Sequence, residues 1–462
     1  MRFAILNMSD DSNKGDLAIL ENTILLLRRA CPGAEIEVLN ADYAGGGDGP
    51  SKMFEHVRGL GVAHHQAIFP RVFDGRRGPA AMASALWNLA VSLWVLAAVR
   101  ALGGRAGRLI PRRHRPAFEA LRSADLAILK GGSYLYSYGG TAQLLFVYRM
   151  VHQSLLALCL GKRIVALGHS VGPVVGRPAR WLLGACMRRF ERVVVREEIS
   201  RRCVRDELRI DPARIELLPD LAFWRPESPT GQDDDRILHD VLNREGVEVD
   251  GAAAVRIGLT ARHWHFPLQG DGAGRFDAYL TILANTIDRL ARERGAQVFL
   301  MPHAAEDLPV SREIARRVRQ GRPVVLSGDY TTVELRGLYG AMDLFVGTRI
   351  HSNIFALSAG TPVVAIAYEI PKGFGIISMI EPREFILDIA ELTEERLWDV
   401  ISAGLADRET LAAGVRASVR RANDEIDQRF SALLGRHRRE TAEGESGSLS
   451  GAGGKETGDE AG

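Results

Sequence analysis

Short apolar runs alternate with amphipathic stretches along this chain, in two successive series, and this pattern limits the possible folds more than any other feature. The first series reads FAIL (3–6), IEVL (36–39), LAIL (126–129), RIVAL (163–167), RVVV (192–195) and IELL (215–218). The second reads VRIGLT (255–260), QVFLM (297–301), PVVL (323–326), LFVG (344–347), PVVAIA (362–367) and FILD (385–388). Runs this apolar need burial on both sides, and the amphipathic stretches between them supply the cover. Each series therefore predicts a doubly wound parallel sheet, and 462 residues suffice for two cores.

The expected α/β organisation is a Rossmann-like domain at 1–226, a polar linker at 227–251, a second Rossmann-like domain at 252–392 and charged helices at 393–438. Those helices are expected to pack back across the first domain. From 439 to 462 the chain is rich in glycine and carries one large apolar residue, Leu449, so a disordered tail is expected.

Lys+Arg 59 against Asp+Glu 57 leaves a net charge of +2, which lacks the positive excess of a dedicated nucleic-acid binder. Cys31, Cys159, Cys186 and Cys203 form no CxxC pair, so reduced thiols and a cytoplasmic setting are expected. The opening MRFAILNMSDDSNKGD has no signal-peptide core, and Met1 is expected to be retained. Residues 78–99 carry no charge and form an apolar helix inserted in the first domain (79–99), with arginines on both flanks. By length it suits three roles: crossing a bilayer, lying on the inner membrane surface as a peripheral contact, or packing in a core or dimer.

Ligands of open α/β sheets collect beyond the carboxyl ends of strands. Asn13, Lys14, Gly15 and Asp16 follow the first strand, where a helix N-terminus suits an anion or polar substrate; a turn with an Asp cap explains the run equally. Gly131, Gly132 and Ser133 follow another strand and lead into Tyr134, Tyr136 and Tyr138, residues able to line a sugar site. In GHSVGP, His169 and Ser170 are candidates to face the cleft. Arg196 stands at a strand tip, where a guanidinium fork suits carboxylate or phosphate. Arg349, His351 and Lys372 converge in 346–373, and His351 titrates in a range suited to proton transfer. His303 in MPHAAED is a further candidate substrate contact, with Glu306 and Asp307 beside it.

The order NKGDLAI, KGGSYL, GHSVGP, VVVREEIS, LLPDLAF, MPH, TRIHSNIFALSAGTPVVAIAYEIPKG resembles the polysaccharide pyruvyl transferase family over about residues 1–390. The resemblance implies a glycosyltransferase-B-type pair of domains facing a cleft. It implies transfer of the pyruvyl unit of phosphoenolpyruvate to two hydroxyls of a saccharide, forming a ketal and releasing phosphate. It also implies that Arg196 and Arg349 grip phosphoenolpyruvate, that His351 is the general acid, and that Lys372 is the family's basic residue after the following strand. Asp16 and Asp220 are candidate bases. The scheme needs no metal and no cofactor beyond the donor, and a lipid-linked oligosaccharide is one expected acceptor. Two other functions fit the residues: a nucleotide-sugar glycosyltransferase of the same build, and a non-catalytic sugar-binding module.

Overall fold

The computed structural model describes residues 1–8, 13–41, 55–66, 68, 79–225, 234–247, 255–266, 271–368, 375–380 and 382–450. The first sheet contains β1 (Arg2–Met8), β2 (Glu35–Asn40), β3 (Ala63–His65), β4 (Leu126–Leu129), β5 (Gly132–Ser137), β6 (Arg163–Val174), β7 (Arg192–Val195) and β8 (Ile215–Leu217). Its order is β3-β2-β1-β4-β6-β7-β8, all pairs being parallel, while β5 pairs with the distal half of β6. The second sheet contains β9 (Val255–Thr260), β10 (Ala296–Leu300), β11 (Val324–Val325), β12 (Leu344–Gly347), β13 (Val363–Ala367) and β14 (Ile386–Asp388). It runs β11-β10-β9-β12-β13-β14, also parallel. In both sheets the first strand lies inside and the order reverses beside it, between β1 and β4 and between β9 and β12. Each reversal opens a crevice at the strand ends.

The β1 strand shows why the runs are apolar throughout. Phe3 and Ile5 enter one buried cluster while Ala4 and Leu6 enter another, on opposite faces of the pleat. The cluster containing Phe3 is shared between the domains. It joins Leu17 and Leu20 of the helix Lys14–Ala30 to Leu338 and Tyr339 of Thr332–Gly340 and to Phe355 of Ile350–Ala359. Separate cores on the outer sides complete each domain. The helices that border the cleft are thus held by one continuous apolar interior.

Two expected boundaries need correction. The stretch 227–251 is not a plain linker, because Asp234–Glu245 is a helix whose Ile237, Leu238, Val241 and Leu242 are buried in the shared core. Their spacing of one, four and five residues makes a helical apolar stripe, which the acidic residues around it obscure. The final helix, Arg408–Ser450, continues past 439, and the rest of the expected tail, 451–462, lies outside the described residues. Extending an existing helix adds a hydrogen bond for each residue fixed and needs no new core, so a polar sequence can follow a packed segment in helical form. Its earlier part crosses back onto the first domain: Val419, Ile426 and Phe430 are buried in the shared core, and Asp427 accepts from Trp224 Nε1 at 3.1 Å.

The apolar segment forms the helix Pro79–Leu102. Ala85, Val95 and Val99 are buried on one side of it, and Ser92 Oγ lies 2.8 Å from the hydroxyl of Tyr148 on the helix Thr141–Cys159. It therefore lies along the first domain, within the helix layer that covers one face of the sheet.

Candidate functional site

The loop after β1 enters Lys14–Ala30 through Asn13, whose Oδ1 accepts from Gly15 N at 3.2 Å and Asp16 N at 3.4 Å. The cap is thus Asn13, not Asp16. Asp16 is left to meet Lys130 Nζ at 2.7 Å and Asn13 Nδ2 at 2.8 Å. Lys130 directly follows β4 and is buried. Gly131 then passes so close to β6 that a Cβ there would sit 2.6 Å from the Leu167 carbonyl, so only glycine fits.

Arg196 follows β7 and is only 1% exposed. Its Nε donates to Ser170 Oγ at 2.8 Å, and its two terminal nitrogens donate to Asp220 and Ser133. Asp220 also accepts from Ala222 N at 2.8 Å, which fixes the carboxylate that faces the guanidinium. His169 is fully buried, donates from Nε2 to the Leu129 carbonyl at 3.1 Å and stands edge-on to Tyr134. Burial, with the Lys130 and Arg196 charges, pushes its pKa down to about 3, so it is neutral at ordinary pH. His169 and Ser170 were expected to face the cleft; both are instead enclosed, because the distal part of β6 is covered by β5. They hold the backbone of β4 and the Arg196 side chain. Of the tyrosines, Tyr134 is the one at the site, donating to the Lys130 carbonyl; Tyr136 packs on Phe146 and Tyr138 is exposed.

The second domain contributes from the ends of β10 and β12. Arg349 caps the helix Ile350–Ala359 and His351 lies in its first turn. Gly347 approaches Asn353 too closely for any side chain, and Thr348 Oγ1 is 2.6 Å from the Tyr279 hydroxyl, so the turn carrying Arg349 is tightly held. Arg349 Nε lies 3.1 and 3.0 Å from the two Asp307 oxygens, and its Nη2 lies 2.5 Å from Glu306 Oε1. Burial opposes its charge, but the Asp307 and Glu306 carboxylates outweigh that and raise its pKa. His303 is buried 3.1 Å from the Tyr339 hydroxyl; burial, His351 and Arg349 depress its pKa well below the usual histidine range.

The halves meet at Gly15 and His351. A Cβ on Gly15 would fall on the His351 ring, so the N-terminus of Lys14–Ala30 abuts the first turn of Ile350–Ala359. Two helix N-termini, each the positive end of a helix dipole, therefore converge. His351 Nε2 is buried and has no hydrogen-bond partner among the described residues. Burial lowers the His351 pKa; Asp220 and Asp16 act to raise it, Arg196 and Lys130 to lower it. The Asp16 carboxyl is pushed up by burial but brought below its usual range by Lys130, His351 and Arg196.

Asn13, Gly15, Asp16, Gly131, Gly132, Ser133, His169, Ser170, Arg196, Asp220, His303, Arg349 and His351 all lie at this junction or directly behind it. Lys372 lies outside the described residues. Lys130 was missed as a site cation, and Lys14 was named only as part of the run after the first strand. Lys130 directly follows the apolar run 126–129, the position where strand-end cations generally fall. Lys14 is 7% exposed and pairs with Asp329 across the interface at 2.6 Å, a contact that no local pattern announces. Asp329, the partner of Lys14, is 74% exposed and can turn into solvent, whereas Arg349 is anchored by the fully buried Asp307 and only its second partner, Glu306, is exposed.

The chain is 23% identical over 333 residues to the amylovoran biosynthesis protein AmsJ of Erwinia amylovora, covering 70% of this chain and 76% of that protein. Its fold is similar to that of a glycosyltransferase from Rickettsia africae, with a TM-score of 0.54, 11% identity and coverage of 95% and 98% of the two chains. It is equally similar to a UDP-GlcNAc 2-epimerase from Neisseria meningitidis, with a TM-score of 0.54, 9% identity and coverage of 95% and 100%. Identities this low speak to fold alone, and the shared fold is the glycosyltransferase-B arrangement of two parallel-sheet domains. The family model for polysaccharide pyruvyl transferase matches residues 13–370, from the Asn13 cap to just past β13 in sequence, and the chain belongs to that family.

Proposed function

We infer that the protein moves the pyruvyl group of phosphoenolpyruvate onto two hydroxyls of a saccharide, in a polysaccharide or on a lipid-linked oligosaccharide, as a step of polysaccharide biosynthesis. The observation that carries this reading is the buried, unpartnered His351 Nε2 at the junction of two helix N-termini, within electrostatic range of Arg196 and Lys130.

Phosphoenolpyruvate carries a carboxylate and a phosphate, and an anion of this kind needs fixed cations that cannot donate their protons readily. Arg196 and Lys130 on one side, and Arg349 and Lys14 on the other, meet that need, Lys14 being the one whose sole ion-pair partner among the described residues is exposed. Lys372, by its place in the family motif, would add a further cation. Protonated His351 delivers its proton to the methylene carbon, making C2 electrophilic. The first sugar hydroxyl adds to C2 and its proton returns to the imidazole, directly or through Asp16. Phosphate then leaves with the C2–O bond pair, and the second hydroxyl adds as its proton goes to phosphate. One proton thus ends on the new methyl group and one on phosphate, so the ketal forms with no net gain or loss. In the free protein His351 is held towards its neutral form; the negative charge of the bound donor favours the imidazolium, so donor binding itself arms the acid. A phosphoenolpyruvate donor and four free thiols both suit a cytoplasmic site of action.

The test is incubation of the purified protein with phosphoenolpyruvate and an oligosaccharide panel, reading phosphate release together with the new ketal methyl signal by NMR. Donor binding alone is read from melting temperature: ligand at about 100 times its Kd adds about 2.7 kcal/mol. Turnover of UDP-sugars with no orthophosphate from phosphoenolpyruvate would instead establish a glycosyltransferase.

A further inference from the structure

The exposed side of Pro79–Leu102 is as ordered in its pattern as the buried side. Leu86, Trp87, Leu93 and Trp94 are all solvent-exposed and recur one heptad apart, forming an unbroken stripe opposite Ser92, Val95 and Val99. Only 22% of the helix's apolar window is buried, far less than a core helix requires. Across Thr141–Cys159, the helix Arg177–Met187 occupies the same layer, and its Trp181 is 69% exposed. The three most exposed tryptophans of the chain therefore stand on one helix layer of the first domain.

Charge on this layer departs from the balance of the chain. Residues 75–118 and 126–190, which contain the layer, hold eight lysines and arginines each and no aspartate or glutamate, against a net charge of +2 overall. Exposed Arg105 and Arg108 follow the apolar helix, and exposed Arg177 and Arg180 flank Trp181. Aromatic rings beside aliphatic side chains, rimmed by Arg105, Arg108, Arg177 and Arg180, which form no ion pair among the described residues, match a bilayer interface bearing negative headgroups. A second copy of this face would bring like charges together. Crossing the bilayer is incompatible with the packing, because Ser92 and its neighbours are buried against the domain and both ends of the helix lead into the same sheet.

We propose that the outer stripe of Pro79–Leu102, together with Trp181, docks in the plane of an anionic phospholipid surface, with the flanking arginines on its phosphates. This goes beyond the proposed reaction and does not depend on it. The full chain is sedimented with vesicles of phosphatidylcholine, or of phosphatidylcholine mixed with phosphatidylglycerol, while tryptophan emission is followed. Binding to the mixed vesicles with a blue shift, weakened by salt, is expected. Trp87→Ser/Trp94→Ser abolishes the shift and most of the binding. Arg105→Glu/Arg108→Glu, which spares the apolar stripe, weakens binding by roughly tenfold or more. Unchanged circular dichroism and melting show that both variants fold. The proposal fails if the parent ignores mixed vesicles, or if the tryptophan variant binds them equally. It also fails if light scattering finds a dimer that Trp87→Ser/Trp94→Ser dissociates, or if a DNA duplex displaces the vesicles.

Discussion

His351 concentrates the chemistry of the site in one imidazole. Its folded pKa is lowered, so the free protein holds the acid form only below the ordinary histidine range near 6.5. Because that form is the active one, kcat/KM falls as pH rises through the free-protein value. Donor charge raises the pKa in the complex, so the descending limb of kcat lies at higher pH than that of kcat/KM; coincident limbs would assign the proton to another group. His351→Gln lowers kcat by about 10² to 10⁴ while donor binding, measured by melting temperature, changes little. The residue type was legible in the sequence, as was its place after a strand end. Its burial and its unpartnered Nε2 were not, since both depend on Gly15 arriving from more than three hundred residues away.

Elements position these groups through the facing ends of two helices. Gly15→Ala drives the His351 ring from its place, and a displacement of about 1 Å at a reacting group costs about 10²-fold in rate. The variant still folds, because the new methyl meets one side chain at the edge of the shared core; the check is kcat beside an unchanged circular dichroism spectrum. Lys14 and Asp329 form the complementary pair of predictions. Lys14→Ala raises KM for phosphoenolpyruvate, whereas Asp329→Asn, which frees Lys14 from its countercharge, lowers it. Opposite signs distinguish a donor contact from an interdomain strut, for which both substitutions would act alike. The elements themselves follow largely from periodicity. The helix Asp234–Glu245 escaped notice because three consecutive aspartates dominate its approach, although its apolar stripe is complete.

At the scale of the whole molecule, the cleft is set by polar contacts that ride on the shared core. Thr332 donates to Glu21 across the interface at 2.6 Å, and Arg336 donates to the Ala222 carbonyl at 3.2 Å. Burial raises the Glu21 pKa above 4.5, more than Thr332 and Arg336 lower it. A raised folded value means that the contribution of this group to stability is complete below pH 4.5 and lost as pH rises through the folded value. Glu21→Gln keeps an acceptor for Thr332 without the buried charge. It therefore melts above the parent at pH 7, and the gap closes in acid. A constant gap across the titration would place the ionisation of Glu21 outside the interface energetics.

What the sequence by itself determined was the set of parts: two parallel sheets, the strand-end position of Arg196, Arg349 and His351, the family motif order, and an apolar helix flanked by arginines. These are properties of spacing along the chain, which strand and helix geometry convert directly into faces and ends. Tertiary structure alone decided that Lys14 and Lys130 join the cationic set, that His169 and Ser170 support the site from within, and that the apolar helix lies against the domain with half its circumference uncovered. Burial and charge pairing depend on which distant segments meet, and in this protein one shared hydrophobic core determines that meeting.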